Sequence, residues 1–371
     1  MADSRLSKTY TLQLTLEGPV YAGSGKKIGK KEYFYNSRQK TVSFYDQNRL
    51  MDCIVQQNLM DAYETYMLGP GRSLYDFFRN TAGGARSFAS ALKYEVSCVD
   101  AIGENSGQPA DIHTHIRNGA GQVYLPGSSV KGMLRTAITV GCLLKSEPQA
   151  SRPTVPEGNP RDYAFKKKMD KQAKDFMRQL DNELFHLLDA KPQDVANAVN
   201  DIFRGVSIAD SGPIPDEDLI LCRKSDLYPG GFEKELNVIR ECVRPGVTVK
   251  MAVAIDPTLA RFLTADFIRE CVSLFDRWYT GYVLSHYQNV PGPALTSHLF
   301  LGGGSGYFSK TVTVPWLKED ALHYIASWLT AQFGSKNSND ETRYGISPHL
   351  LKYTQVGGRQ LPFGLCKVEL L

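Results

Sequence analysis

Tyr124-Leu-Pro-Gly-Ser-Ser-Val-Lys-Gly-Met-Leu-Arg-Thr-Ala-Ile138 reads as a strand end, a tight Pro-Gly turn, two serines suited to helix capping, and a helix beginning near Val130. Such a junction aims several unpaired backbone N–H groups, with the positive end of a helix dipole, at one point. Lys131 and Arg135 stand four residues apart and share a helix face beside it. Backbone donors, dipole and cations together are chemistry for holding a phosphate. The stretch is not a nucleotide-hydrolysing P-loop, because Lys131 precedes Gly132 and no Gly-Lys-Ser/Thr follows Gly127 at the required spacing. The alternative is architectural, with Gly127 and Gly132 only tightening a strand-to-helix turn.

Working outward toward the N-terminus, Tyr10-Thr-Leu-Gln-Leu-Thr-Leu16 alternates polar and apolar residues, the pattern of a half-buried strand. A glycine- and lysine-rich loop follows at Gly23 to Lys31, carrying Lys26 and Lys27, and then a hairpin from Glu32–Tyr35 to Thr41–Tyr45. Asp46 to Met67 reads as one helix capped by Asp46, and Lys93–Val99 and Gln122–Leu125 as strands. Strand, long excursion, strand, helix fits an α+β sheet with insertions better than a doubly wound parallel sheet. Toward the C-terminus, Ser146 to Pro160 carries four prolines and predicts a loop or linker. Tyr163 to Leu188 is an amphipathic helix whose basic stripe (Lys166, Lys167, Lys168, Lys171, Lys174, Arg178) reads as a solvated face. Strands recur at Gly205–Asp210, Leu219–Arg223, Glu235–Cys242 and Val247–Ile255, the last two expected as a hairpin through Arg244-Pro-Gly-Val247. Helices over Leu259–Leu284 and Trp316–Phe333 and a strand over Leu365–Leu370 complete the pattern. The expected organisation is a module at 1–145, a linker and helical insertion at 146–203, and a second module at 204–371.

A chain of 371 residues is long enough for two cores, and its 42% hydrophobic and 22% charged content is that of a soluble globular protein. The net charge of +4 does not by itself argue for nucleic acid, so the placement of the lysines matters more than their sum. Seven scattered cysteines argue against a disulfide framework and against a zinc site. Met1-Ala-Asp-Ser-Arg5 lacks the apolar run of a signal peptide, and no stretch has the apolar length of a membrane span. The expectation is a reduced, cytoplasmic protein without membrane contact.

Leu299-Phe-Leu-Gly-Gly-Gly-Ser-Gly-Tyr-Phe-Ser-Lys-Thr311 is the second informative stretch. Gly302, Gly303, Gly304 and Gly306, with Ser305, strip side chains from a place where something must approach the backbone. Tyr307, Phe308 and Lys310 follow at once, and glycines for access, an aromatic for stacking and a cation for phosphate are what single-stranded RNA asks for. A flexible surface loop is the plainer alternative, but three glycine loops accompanied by lysine (Gly23–Lys31, Gly127–Lys131, Gly302–Lys310) favour the first. If the loop is extended, one of Tyr307 and Phe308 faces outward and the other packs inward. His113 and His115, two apart with Asp111, are candidates for a general base or a metal site, yet no third ligand motif accompanies them. Asp46 and Asp52 fall at or inside a helix, where carboxylates cap or solvate. No Gly-x-Ser-x-Gly, His-Glu-x-x-His or Cys-x-x-Cys motif is present, so no catalytic residue, metal or cofactor is expected.

The assembled pieces resemble the RAMP superfamily of CRISPR-associated proteins. Leu125-Pro-Gly-Ser-Ser-Val-Lys-Gly-Met-Leu-Arg-Thr-Ala137 is similar to the family's Pro-Gly-Ser-Ser-x-x-Gly signature, and Leu301–Thr311 to its glycine-rich loop. Gly18-Pro-Val-Tyr-Ala-Gly-Ser-Gly25 resembles the loop after its first strand, and Arg204-Gly-Val-Ser-Ile-Ala-Asp-Ser211 a second-half strand ending in Asp-Ser. Length, Glu241-Cys-Val-Arg-Pro-Gly246 and the closing Gln360-Leu-Pro-Phe-Gly-Leu-Cys-Lys-Val368 look most like the large RAMP subunit of the type III-A (Csm) effector complex. The resemblance implies an α+β fold of two ferredoxin-like (RRM-like) modules with helical insertions. It implies a non-catalytic subunit that binds the 3′ region of crRNA and caps the backbone filament. Its partners would be crRNA, the backbone RAMP and other Csm subunits, with target RNA and a trimming nuclease as further candidates. The RNA-binding candidates are then Lys26, Lys27, Gly127, Ser128, Ser129, Lys131, Arg135, Gly302, Gly303, Gly304, Ser305, Gly306, Tyr307 and Lys310. A crRNA-processing endoribonuclease of the RAMP class, or a target-cleaving backbone RAMP, are the alternative functions.

Overall fold

The computed structural model describes residues 7–70, 73–99, 101–102, 111–288, 290, 297–334 and 340–371; Met1–Arg5, read above for a leader, lie outside them. In chain order, β1 (Lys8–Leu16), β2 (Gly23–Ile28), β3 (Tyr33–Asn36) and β4 (Thr41–Tyr45) precede the short helices α1 (Gln47–Gln56), α2 (Met60–Leu68) and α3 (Leu74–Arg79). Then come β5 (Leu92–Ser97), β6 (Ile112–His115), the long α4 (Gly127–Lys145) and α5 (Tyr163–Phe185). The next run is β7 (Val206–Ile208), β8 (Leu219–Leu227), β9 (Glu233–Val243), β10 (Thr248–Ile255), α6 (Pro257–Ala260) and α7 (Ala265–Trp278). The chain finishes with β11 (His298–Phe300), α8 (Thr313–Leu317), α9 (Ala321–Phe333), α10 (Asp340–Arg343), β12 (Leu351–Val356), β13 (Arg359–Pro362) and β14 (Leu365–Leu370).

These strands build two sheets. The smaller runs β11-β14-β1-β10-β7; the nine-stranded one runs β2-β6-β9-β8-β5-β4-β3, with β12 joined to β8 and β13 to β12. The alternation read in β1 is what places it centrally: Leu12, Leu14 and Leu16 are fully buried, while its backbone pairs antiparallel with β10 on one side and β14 on the other. Helices α4 and α7 pack against this sheet and against each other. They meet at Gly141, where a Cβ would stand 2.5 Å from Cys271 Sγ. The α+β class and ferredoxin-like construction expected from the sequence hold. The sheets are assembled across residues 1–145 and 204–371 rather than within either stretch.

Six expectations about elements need correction. β9 and β10 are not a hairpin, because they belong to different sheets. Val243 pairs with Val20, and Gly246 (φ +92°) donates its N–H to Leu16 O, so Arg244-Pro-Gly-Val247 steps the chain from the larger sheet onto the smaller one. The Asp46-capped helix is real, with Asp46 Oδ1 accepting from the N–H groups of Asn48 and Arg49, but it breaks at Asn58 (φ +56°) into α1 and α2. Arg261 (φ +54°) and Lys318 (φ +51°) break the two later helices in the same way. The lysine-rich loop is partly the edge strand β2, and Gln122–Leu125 makes only isolated bridges, Val123 to Arg117 and to Ile214. All seven cysteines are buried and unpaired, small hydrophobes in the core.

Candidate nucleic-acid interface

Helix α4 begins at Gly127, three residues earlier than the sequence predicts, with Pro126 in the cap position. Its first orphan donor is satisfied from another part of the chain: Gly127 N–H donates to Asp210 Oδ1 at 2.8 Å. Ser211 completes the clamp, its Oγ accepting from Leu125 N–H at 2.9 Å and its own N–H donating to Leu125 O at 3.0 Å. The end of β7 therefore staples the Pro-Gly turn. Gly127 is demanded by that approach, since a Cβ there would lie 2.2 Å from Ile208 O. The Asp210 carboxylate is an anion already placed at the positive end of the helix.

The glycine-rich loop is held just as closely. Gly302, Gly304 and Gly306 have φ of +84°, +90° and +98°, a region side-chain-bearing residues avoid. Gly303 N–H donates to Tyr21 O at 2.7 Å, and a Cβ at Gly302 would stand 2.3 Å from that same oxygen. The loop thus lies on the Gly18–Tyr21 segment that joins the two sheets. Ser305 is buried, its Oγ accepting from Ser309 Oγ. Phe308 packs inward at 1% exposure, Tyr307 is half-buried beside it, and Lys310 is exposed.

These turns converge on one groove of about 670 Å³. Gly23, Ser128, Ser129, Gly302, Gly303 and Lys310 line it, together with Asp210. It lies where β6, β7 and β11 end, so loops from both sheets supply its walls. Lys26 and Lys27 are not among its lining residues; they are exposed on β2. Arg135 bonds Asp201 at 2.7 Å and Asp181 at 3.1 Å, with its guanidinium over Phe185 and Phe203. It ties α4 to the helical insertion, and its charge is balanced within the protein. Burial pulls the Lys131 ammonium below its ordinary range, with Asp201 offsetting part of the effect. A second cleft of about 390 Å³ adjoins the groove, sharing Thr136 and Lys310 with it and walled by Tyr307, Tyr324, Trp328 and Arg135.

His115 is committed to the fold. Its Nε2 accepts from Ala22 N–H at 3.2 Å, which leaves the Nδ1 proton for Ile116 O at 3.1 Å, and burial lowers its pKa to about 4. Among the described residues, no three His, Cys, Asp or Glu side chains are grouped to hold a metal. Sequence reasoning gave no site role to Asp210, Ser211, Tyr21 or Arg240, although the first three fall in segments quoted above for the family resemblance. An Asp-Ser pair closing a strand was the one available signal for the first two, because it is a capping pair without a helix of its own.

The chain belongs to the RAMP superfamily, whose family model matches residues 13–309. Within that class it is similar to proteins named Csm5: one from Mycobacterium tuberculosis (strain ATCC 25618 / H37Rv) is 27% identical, over 98% of each chain. Another, from Enterococcus italicus, is 25% identical over 82% of this chain and 80% of its own. Two solved structures share the fold. A chain of a type III-A Csm–crRNA–target RNA ternary complex superposes with a TM-score of 0.65 at 16% identity, covering 97% of this chain and all of that one. The crystal structure of T. onnurineus Csm5 gives 0.57 at 18% identity, covering 96% and 99%.

Proposed function

We propose that this protein is an RNA-binding subunit of a type III-A Csm effector complex, holding the 3′ region of the crRNA and capping the backbone filament without cutting RNA itself. The observation that carries the reading is the groove: the start of β2, the Pro-Gly turn and the glycine-rich loop, far apart in sequence, meet there with two serines and an exposed lysine. Small residues that leave room for a strand, with serine hydroxyls and a cation, suit a sugar–phosphate chain whose bases go unread. Relatives named Csm5, and the fold shared with a chain of a Csm–crRNA–target RNA complex, support crRNA, target RNA and other Csm subunits as partners. The non-catalytic part is supported by His115, whose two ring nitrogens both serve the backbone, and by Asp46, which caps α1.

The test is reconstitution of the complex with Lys310→Glu. Lys310 is exposed, so the variant should fold normally while losing crRNA retention. Retention and assembly equal to wild type would sink the groove assignment. Incubation of the purified chain with repeat RNA in a chelator separates the endoribonuclease alternative, which requires cleavage products.

A further inference from the structure

The glycine-rich loop has two sides. Gly302 and Gly303 line the groove, whereas a Cβ at Gly304 would stand 2.1 Å from Arg240 Nη1 and one at Gly306 would stand 3.4 Å from Lys352 Cγ. Beyond that second side, the registers of β2, β6 and β9 set Lys27 opposite His113 and His113 opposite Arg240. Arg240 lies opposite Cys222 of β8, and Lys224 follows two residues on, at the irregularity in that ladder. Lys352 of β12 stands opposite Asp226 and bonds its carboxylate at 2.5 Å.

Lys27 and Arg240 flank His113, and Arg240 and Lys352 both act on Lys224, so like charges crowd this face at a cost in stability. The nearby acids do not neutralise it. Asp226 answers Lys352, and Glu241 is held by Arg117. Glu235 lies 3.8 Å from Arg223, and Asp111 offsets only part of what Lys27 and Arg240 do to His113. Arg240 is held 5.2 Å over the Tyr21 ring and 5.7 Å over the Phe363 ring, with its Nε and Nη1 buried and without a hydrogen-bond partner. Those two nitrogens are closed to a ligand, so through them Arg240 offers a phosphate charge rather than contact, and donors left open in this way are costly. Burial first, and then the charges of Lys352 and Arg240, bring the Lys224 pKa down to about 8, with Asp226 offsetting part of the effect.

We infer that Lys27, His113, Arg240, Lys224 and Lys352 form a second phosphate track, along which an RNA strand leaving the groove continues across the glycine ridge. The ridge carries no side chain at Gly302, Gly303, Gly304 or Gly306, so a sugar–phosphate chain can pass against its backbone. Lys310 stands at the junction, lining the groove and feeling the charge of Arg240. The inference rests on the RNA-binding reading above.

The experiment uses the full chain and two oligouridine strands, one short enough to fill the groove alone and one long enough to cross the ridge. Lys224→Gln and Arg240→Gln should each weaken binding of the long strand about fivefold and flatten its log–log salt slope by about 0.7, leaving the short strand unaffected. Lys224→Gln should also raise the thermal midpoint, since it removes a repelled charge; a merely structural lysine would lower it and spare RNA. Arg240→Lys, which keeps the charge, should retain most of the long-strand affinity. Lys310→Glu should weaken both strands. Long-strand affinity and salt slope unchanged in the Gln variants would overturn the track while the groove reading stands. A wild-type chain that binds neither strand overturns both. Variants that keep RNA but lose a neighbouring Csm subunit would make the row a contact for acidic protein, and the track would fail.

Discussion

Arg117→Met should lower stability by about 3–5 kcal/mol, because it leaves a carboxylate buried without its counter-charge. Glu241 on β9 is fully buried, and its oxygens accept from Arg117 Nη2 at 3.0 Å and from His115 N–H at 2.8 Å. The guanidinium also lies 4.1 Å from the Tyr94 ring centre and donates to Gly121 O at 3.0 Å and Asp216 at 2.7 Å. The Asp216 arm is 40% exposed on the carboxylate side and contributes at most about 1 kcal/mol, so the Glu241 arm decides the outcome. Methionine keeps apolar cover over Tyr94, which makes the variant report on charge more than on a cavity. Urea unfolding followed by tryptophan fluorescence measures the loss. Glu241→Gln leaves an amide oxygen that can still accept from His115 N–H. The double variant should therefore show a coupling of about 2–3 kcal/mol relative to the sum of the single ones. A loss under about 1 kcal/mol for Arg117→Met, or plain additivity in the cycle, would refute the argument.

The two glycines of the opening motif should behave oppositely. Gly127→Ala forces a Cβ against Ile208 O and should cost about 1–3 kcal/mol, whereas Gly132→Ala, with open space around it on α4, should gain about 0.5–1 kcal/mol in thermal or urea unfolding. Burial works against a charged His298, but its hydrogen bond to Asp276 and the charge of Glu17 outweigh that and raise its pKa. Its stabilising contribution is therefore complete below the unfolded histidine pKa and lost as pH rises through the folded one. The melting-point gap between wild type and His298→Gln should shrink with rising pH, and a gap that widens would contradict the assignment. Phe308→Ala should cost about 3–5 kcal/mol of stability, and Tyr307→Ala about 1–3 kcal/mol of RNA binding by loss of stacking. Equal effects of both on RNA affinity, measured by filter retention, would show that the loop does not separate the two rings.

Much of the fold is legible in local patterns, because β1, α4 and β14 each bury one face and their periodicity says so. What is illegible is which sheet a strand joins. Nothing in Glu235–Cys242 or Val247–Ile255 distinguishes a hairpin from a crossing, and the deciding bonds come from Leu16 and Val20, more than two hundred residues earlier. Asn58 and Lys318 break helices by taking left-handed φ, which composition does not advertise at a non-glycine residue. At the site, the glycine turns stand out in the sequence, while the residues that require Gly127, Gly302 and Gly304 to be glycine do not: Ile208, Tyr21 and Arg240. Arg240 is invisible for a further reason. Its surroundings are assembled from strands scattered along the whole chain, so no window of sequence contains them.

β1 is covered by partners made last. Its ladder to β10 begins 240 residues further along the chain, and its ladder to β14 extends to Leu370. At about 5–20 residues per second, synthesis leaves Leu12, Leu14 and Leu16 waiting on the order of tens of seconds. The entropy of closing so long a loop must be met before any of those contacts forms. β11, which leads into the glycine ridge, has β14 as its one partner in the sheet. A polypeptide interrupted before Leu365 thus has neither a closed centre to its smaller sheet nor an anchored wall to its groove. Translation errors and nonsense mutations late in the gene should yield material for proteolysis rather than a weakened subunit that competes for RNA.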